Sequence, residues 1–121
     1  MIFREELAQA ILRGEKTATR RQMSDNPRGH WYREKCIYDV GQVFTINPGR
    51  GVANIGKARV TAVYKQRLGL ARAMDARREG FPSLRAFRDA FARINGSFNL
   101  GEQVWVVEFE LVPQPSKGGE G

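Results

Sequence analysis

QVWVVEFELV, residues 103–112, sets Trp105, Val107, Phe109 and Leu111 against Val104, Val106, Glu108 and Glu110. Side chains of an extended chain alternate between two faces, so a row of aromatic and branched residues every second position predicts a β-strand with one face in a core. This is the strongest strand signal in the 121 residues. Upstream, residues 84–94 place Leu84, Phe87, Phe91 and Ile94 on one side of a helix, with Ser83 as N-cap and Gly96 as stop. Residues 68–78 are rich in Ala and Arg and read as helical up to the EGFPS interruption at 79–83. GQVFTIN at 41–47 and KARVTAVYK at 57–65 predict a hairpin with a Gly-rich connection, the second strand showing Val60, Ala62 and Tyr64 on one face.

Nearer the start, REELAQAILR at 4–13 has Leu7, Ala10 and Ile11 at helical spacing, acids early, Arg13 late and Gly14 as a stop. Thr17 and Thr19 alternate in a short extended segment that leaves this helix. Residues 22–39 form a long irregular loop, with a turn cluster at SDNPRG and the aromatic, basic stretch HWYREK. Strands and helices that segregate in this way predict an α+β fold in a single domain over residues 1–112, with 113–121 as a disordered tail.

Composition narrows the function classes. Hydrophobic residues make up 41% and charged residues 27%, as in ordinary globular domains. No apolar run approaches the roughly 20 residues of a membrane helix, and MIFREEL carries charge where a secretion signal is apolar, so a cytoplasmic location with no membrane partner is expected. With Cys36 as the one cysteine and His30 as the one histidine, an internal disulfide is excluded and a cysteine-based zinc site is implausible, so the chemistry is expected to be metal-free or to use carboxylate-held ions; no resident metal or cofactor is assigned. Twenty basic residues against thirteen acidic ones give a net charge of +7, which favours an anionic or nucleotide-like partner without separating a nucleic-acid binder from a nucleotide-handling enzyme.

GEKTATRR, residues 14–21, concentrates the candidate chemistry. A lysine in a desolvated pocket loses proton affinity and can take the proton of a nearby hydroxyl, making threonine a nucleophile; Lys16 and Thr19 form such a pair. Equally, Lys and Thr three apart after a helix are often plain exposed residues. Glu79, beside Gly80 and Phe81 where the chain turns, is either a proton shuttle or a helix-end surface charge. Arg20 and Arg21 offer forked donors to an anion or carbonyl, or pair with acids such as Glu5 and Glu6. Trp31 and Tyr32, on the loop, are candidates to stack on a base, whereas Trp105 belongs to the core of its strand. NPGRG lacks the Lys and following helix of a phosphate-binding loop, and His30 and Cys36 are incidental.

The run Gly14, Lys16, Thr19, Arg21 resembles the G-x-K-x-x-T-x-R signature of the ASCH domain superfamily, whose fold resembles the PUA domains of RNA-modifying enzymes. YDVGQVF, REGFPSLRAF and VWVVEF resemble the family's turn into a strand, its Glu-turn-helix element and its closing strand, in the same order between Ile2 and Leu111. The resemblance implies a small, mixed or antiparallel PUA-like β-barrel with flanking helices. Among ASCH proteins, small amidohydrolases of the YqfB type cleave N4-acetylcytidine to cytidine and acetate with a Lys, Thr, Glu triad. Carried over, that triad falls on Lys16, Thr19 and Glu79, with a nucleoside as small-molecule partner; Arg21, Arg20, Trp31, Tyr32 and Phe81 are the substrate-binding candidates that the residues themselves offer beside it. Either Thr19 attacks the amide, or Lys16 or Glu79 activates water while Thr19 orients the substrate. The second implication is an RNA-binding module, with or without ribonuclease activity, using the basic surface; a monomer is expected in both cases. Relative to the shortest members, the loop from Gln22 to Cys36 is longer and the helical region from Arg72 to Arg93 more basic.

Overall fold

The computed structural model describes residues 1–113, so the expected tail beyond Pro113 lies outside the described residues. The QVWVVEFELV stretch forms a strand, Gln103–Leu111, flanked on both edges. In chain order the strands are β1 (Ala18–Gln22), β2 (Val43–Ile46), β3 (Gly56–Arg67) and β4 (Gln103–Leu111). They make one antiparallel sheet in the order β1-β4-β3-β2, the expected hairpin being β2 and β3. Of the expected barrel, the described residues show this four-stranded sheet, with β1 and β2 at its edges.

Each face of β4 is covered. Trp105, Val107 and Phe109 join Val60, Phe44 and Ile46 in a core under the first helix, α1 (Glu5–Leu12), which contributes Ala8 and Ile11. Val104 and Val106 face the opposite way, into a second core with Leu68, Ala76, Phe87 and Phe91. That core is closed by two further helices, α2 (Ala73–Arg78) and α3 (Leu84–Asn95). Burying a Val or Phe side chain from either row stabilises the fold by about 1.5–3 kcal/mol. Both rows of β4 therefore stabilise the sheet, which explains why this strand dominates the sequence pattern.

Local signals set the helix ends. Ser83 Oγ accepts the Ala86 N–H at 3.1 Å at the start of α3, and Gly96, at φ 89°, ends it. The helical reading of 68–78 resolves into a 3-10 turn, Leu68–Leu70, followed by α2. Two expectations change. A register shift between Val60 and Ala62 inserts one extra residue, so Val60 faces the α1 core with Phe109 while Tyr64, opposite Val106, packs in the other core. Val60, Ala62 and Tyr64 thus share no common face. On α3 the apolar stripe runs through Phe87, Ala90 and Phe91; Ile94 is 56% exposed, because it stands at the rim of a cavity rather than under the sheet. No helix among the described residues is long and apolar enough to cross a membrane.

Candidate active site

Lys16 follows α1 at the entry to β1, and its backbone N–H still reaches back to Ala10 O at 3.2 Å. Thr17 then ties three elements together: its N–H donates to Arg78 O at 2.7 Å and its carbonyl accepts the Phe109 N–H at 2.9 Å. These bonds seat the end of α2 against the start of β1. Glu79 is the residue that ends α2, and Gly80 turns the chain away with φ +97°, a left-handed conformation that favours glycine. A Cβ at Gly80 would stand 3.2 Å from Leu7 Cδ2 and 3.5 Å from Lys16 Cβ, so the glycine also lets this turn approach α1 closely.

The consequence is a buried ionic cluster. Lys16, Thr19, Arg20 and Glu79 are the buried polar or charged residues among the described ones, each at most 5% exposed. Lys16 Nζ donates to Ala18 O at 2.7 Å and Glu79 O at 2.8 Å, and lies 3.6 Å from Glu79 Oε1. Glu79 also accepts from the Arg20 N–H at 3.2 Å and from an Arg20 terminal nitrogen at 3.1 Å. Arg20 is further held by Gln66 Oε1 at 2.7 Å and Asp75 at 3.7 Å, and Asp75 caps the start of α2 by accepting the Arg72 N–H at 2.8 Å. Burial pulls the Lys16 amine down from its ordinary 10.5 to about 8; the Glu79 carboxylate resists this shift, and Arg21 and Arg20 add to it.

Strand alternation sends the two arginines of β1 to opposite faces. Arg20 pairs across from Val106, while Thr19 and Arg21, across from Val107 and Trp105, face the α1 core. Arg21 Nε donates to Thr19 Oγ1 at 3.3 Å and its terminal amine donates to Ile2 O at 2.8 Å. Its guanidinium lies between the rings of Phe3 and Trp31, at 5.5 and 5.3 Å, and Lys16 Nζ lies 5.7 Å from the Phe3 ring centre.

Lys16, Thr19, Arg20, Arg21 and Glu79 all line one cavity of about 690 Å³, walled by Phe81, Phe87 and Phe91 on one side and by Ile2, Phe3 and Leu7 on another. That volume lies in the range of small-molecule sites, and an apolar wall around a few converging polar groups is their usual make-up. The structure therefore gathers six of the eight residues singled out in the sequence, Phe81 among them. Trp31 is placed behind Arg21, stacked toward Tyr38 at 5.3 Å between ring centres. Tyr32 stands apart from this cavity, its carbonyl accepting the Trp105 indole N–H at 2.8 Å, which anchors the loop to the core position expected for Trp105. Phe3, Gln66 and Asp75 were missed by sequence reasoning; only Phe3, an apolar residue just before a helix, carries any local signal. Among the described residues no three His, Cys, Asp or Glu side chains gather as a metal-binding group.

The chain belongs to the ASCH domain family, whose model matches residues 1–113. Solved structures share the fold. An ASCH domain from Lactobacillus crispatus JV V101 superposes with a TM-score of 0.66 at 23% identity, covering 87% of this chain and 69% of its own. A protein from Enterococcus faecalis V583 gives 0.65 at 22% identity, covering 97% and 73%. The ASCH protein of Zymomonas mobilis gives 0.60 at 22% identity, covering 92% and 67%. No match to the curated proteins was found.

Proposed function

We propose that this ASCH domain is an amidohydrolase that cleaves the N4-acyl amide of N4-acetylcytidine and related N4-acylated cytosines, giving the amine and a carboxylate without a metal. The observation that carries this reading is the burial of Lys16, Glu79 and Thr19 together at the floor of one cavity, with the Lys16 amine brought down to about 8. A lysine at that value is partly neutral near physiological pH, which a solvated lysine is not.

A neutral amine has two N–H bonds and one lone pair, and carbonyls of Ala18 and Glu79 occupy the two donors. The lone pair is left to accept a proton. Thr19 Oγ1 accepts from Arg21 Nε, so the hydroxyl proton is the one it has to give. In the proposed sequence Lys16 takes that proton as Thr19 Oγ1 bonds to the amide carbonyl carbon. Glu79, 3.6 Å from Lys16 Nζ, then relays the proton to N4 as the C–N4 bond breaks and the cytosine amine leaves. Water attacks the threonyl ester and gives its proton to Lys16, which returns it to Thr19 Oγ1 as the ester C–O bond breaks and the acid leaves. Arg21 both holds Thr19 and supplies positive charge beside the developing oxyanion. Arg20 acts through Glu79: its two terminal nitrogens are held by Glu79, Gln66 and Asp75, so it fixes the carboxylate, while its buried Nε has no partner.

The test is hydrolysis of N4-acetylcytidine by the purified protein with a chelator present, following cytidine and acetate, with Lys16→Arg as the comparison. Arginine keeps its charge and cannot serve as the base. Product from the wild type alone supports the reading. No product from either protein would sink it and move the assignment to RNA binding through exposed arginines such as Arg77, Arg78 and Arg85.

A further inference from the structure

Beside the large cavity, and sharing Ile2 and Arg21 with it, lies a second depression of about 290 Å³. Its other walls are Met1, His30, Trp31, Tyr38 and Arg50; no Asp or Glu lines it. The loop joining β2 to β3 contributes to both spaces through consecutive residues, Gly49 to the larger and Arg50 to the smaller. Arg21 is thus a common wall, and its surroundings are unusual for a half-buried guanidinium. Arg20, its neighbour on β1, is neutralised by Glu79 and Asp75. Among the described residues no carboxylate stands within 4.0 Å of Arg21 or of Arg50, and Arg21 spends its known bonds on a hydroxyl and a backbone carbonyl. Burial lowers the Arg21 pKa and the Glu79 carboxylate, beyond 4.0 Å, offsets this only in part, so a bound anion with several acceptor oxygens at Arg21 relieves a remaining cost.

We infer that the smaller depression is an anion subsite which takes the 5′-phosphate of a cytidine nucleotide whose acylated base occupies the larger cavity. The substrate class then becomes the N4-acylated nucleotide rather than the free nucleoside. Placement of the base rests on the amidohydrolase reading; the anion subsite itself rests on Arg21, Arg50 and the missing carboxylates. Arg50 brings a whole fork to this small depression and Arg21, with Nε and Nη2 held by Thr19 and Ile2, brings its remaining Nη1, a donor set that suits the several oxygens of a phosphate monoester. Trp31, stacked on Arg21 and packed toward Tyr38, holds the Arg21 plane at the junction of the two spaces, where a ribose would bridge base and phosphate.

Calorimetric binding of cytidine, cytidine 5′-monophosphate and inorganic phosphate, at one fixed ionic strength, tests this without requiring turnover. Charge-assisted hydrogen bonds of ordinary strength predict that the nucleotide binds about tenfold or more tightly than the nucleoside. Arg50→Gln narrows that ratio, whereas Arg85→Gln, which removes the same charge from an exposed position on α3, leaves it in place. Equal affinity for cytidine and its 5′-monophosphate overturns the inference. So does inorganic phosphate binding as tightly as the nucleotide, or Arg85→Gln narrowing the ratio as much as Arg50→Gln, which would reduce the preference to bulk charge. A tenfold preference with no hydrolysis of N4-acetylcytidine or its 5′-monophosphate would keep the subsite and discard the amidohydrolase. Hydrolysis of N4-acetylcytidine with no nucleotide preference would do the reverse.

Discussion

Replacing Lys16 by methionine, a residue of similar length without the charge, converts the burial of the amine into a measurable dependence of stability on pH. In the folded protein Lys16 gives up its proton at about 8, against 10.5 for a solvated lysine. Between those values the unfolded chain binds the extra proton, so wild-type stability rises with pH across this window. Below pH 8 the cost of burying the ammonium is present in full; above 10.5 it has gone. From pH 7 to pH 10 the wild type should gain about 2 to 3 kcal/mol relative to Lys16→Met, at close to 1.4 kcal/mol per pH unit inside the window. The absolute difference at any one pH also includes the carbonyls of Ala18 and Glu79, which lose their donor in the variant. The change with pH excludes that constant and isolates the titration. Urea unfolding of both proteins at half-unit steps from pH 7 to pH 10 gives the two curves. If they run parallel, the amine is solvated and the proposed base does not exist.

Glu79→Gln removes the carboxylate that faces both Lys16 and Arg20, and breaking a buried pair in this way costs about 3–5 kcal/mol in urea unfolding. It also drives the Lys16 amine further below 8, since Glu79 is the group that holds it up; a stability loss under about 1 kcal/mol would show that the cluster is wet. Gly80→Ala should lower stability by about 1–2 kcal/mol through its left-handed backbone, with more from the 3.2 Å approach to Leu7, and an unchanged melting temperature would mean the turn relaxes freely. In the hydrolysis assay Thr19→Ser retains turnover and Thr19→Ala loses it. Full activity in the alanine variant removes threonine as nucleophile.

What was legible in the sequence was what is local. β4 declared itself because both of its faces are apolar over the stretch Val104 to Val107, and α3 because Ser83 and Gly96 mark its ends chemically. The register shift after Val60 was not legible: Thr61 is an ordinary strand residue, and only pairing with β4 reveals that one residue too many has been inserted. The site divides in the same way. Lys16 and Thr19 are three residues apart and could be suspected from one strand, but Glu79 meets Arg20 across 59 residues, and spacing says nothing of that distance. The ends of α1 and α2 bring them together, through Thr17 and the close turn at Gly80. Arg20 and Arg21 look equivalent in the sequence, yet strand alternation gives one to the carboxylate cluster and the other to Thr19. Phe3, Gln66 and Asp75 entered only with the fold, since each reaches the site from a different element.

The most direct measurement is the pH dependence of kcat/KM for N4-acetylcytidine. A base that loses its proton at about 8 predicts a rate that climbs with pH and levels above that value, lying about a hundredfold lower at pH 6 than on the plateau. A profile flat from pH 6 to pH 9, or turnover undiminished in Lys16→Arg, would contradict the assignment of Lys16 as the base.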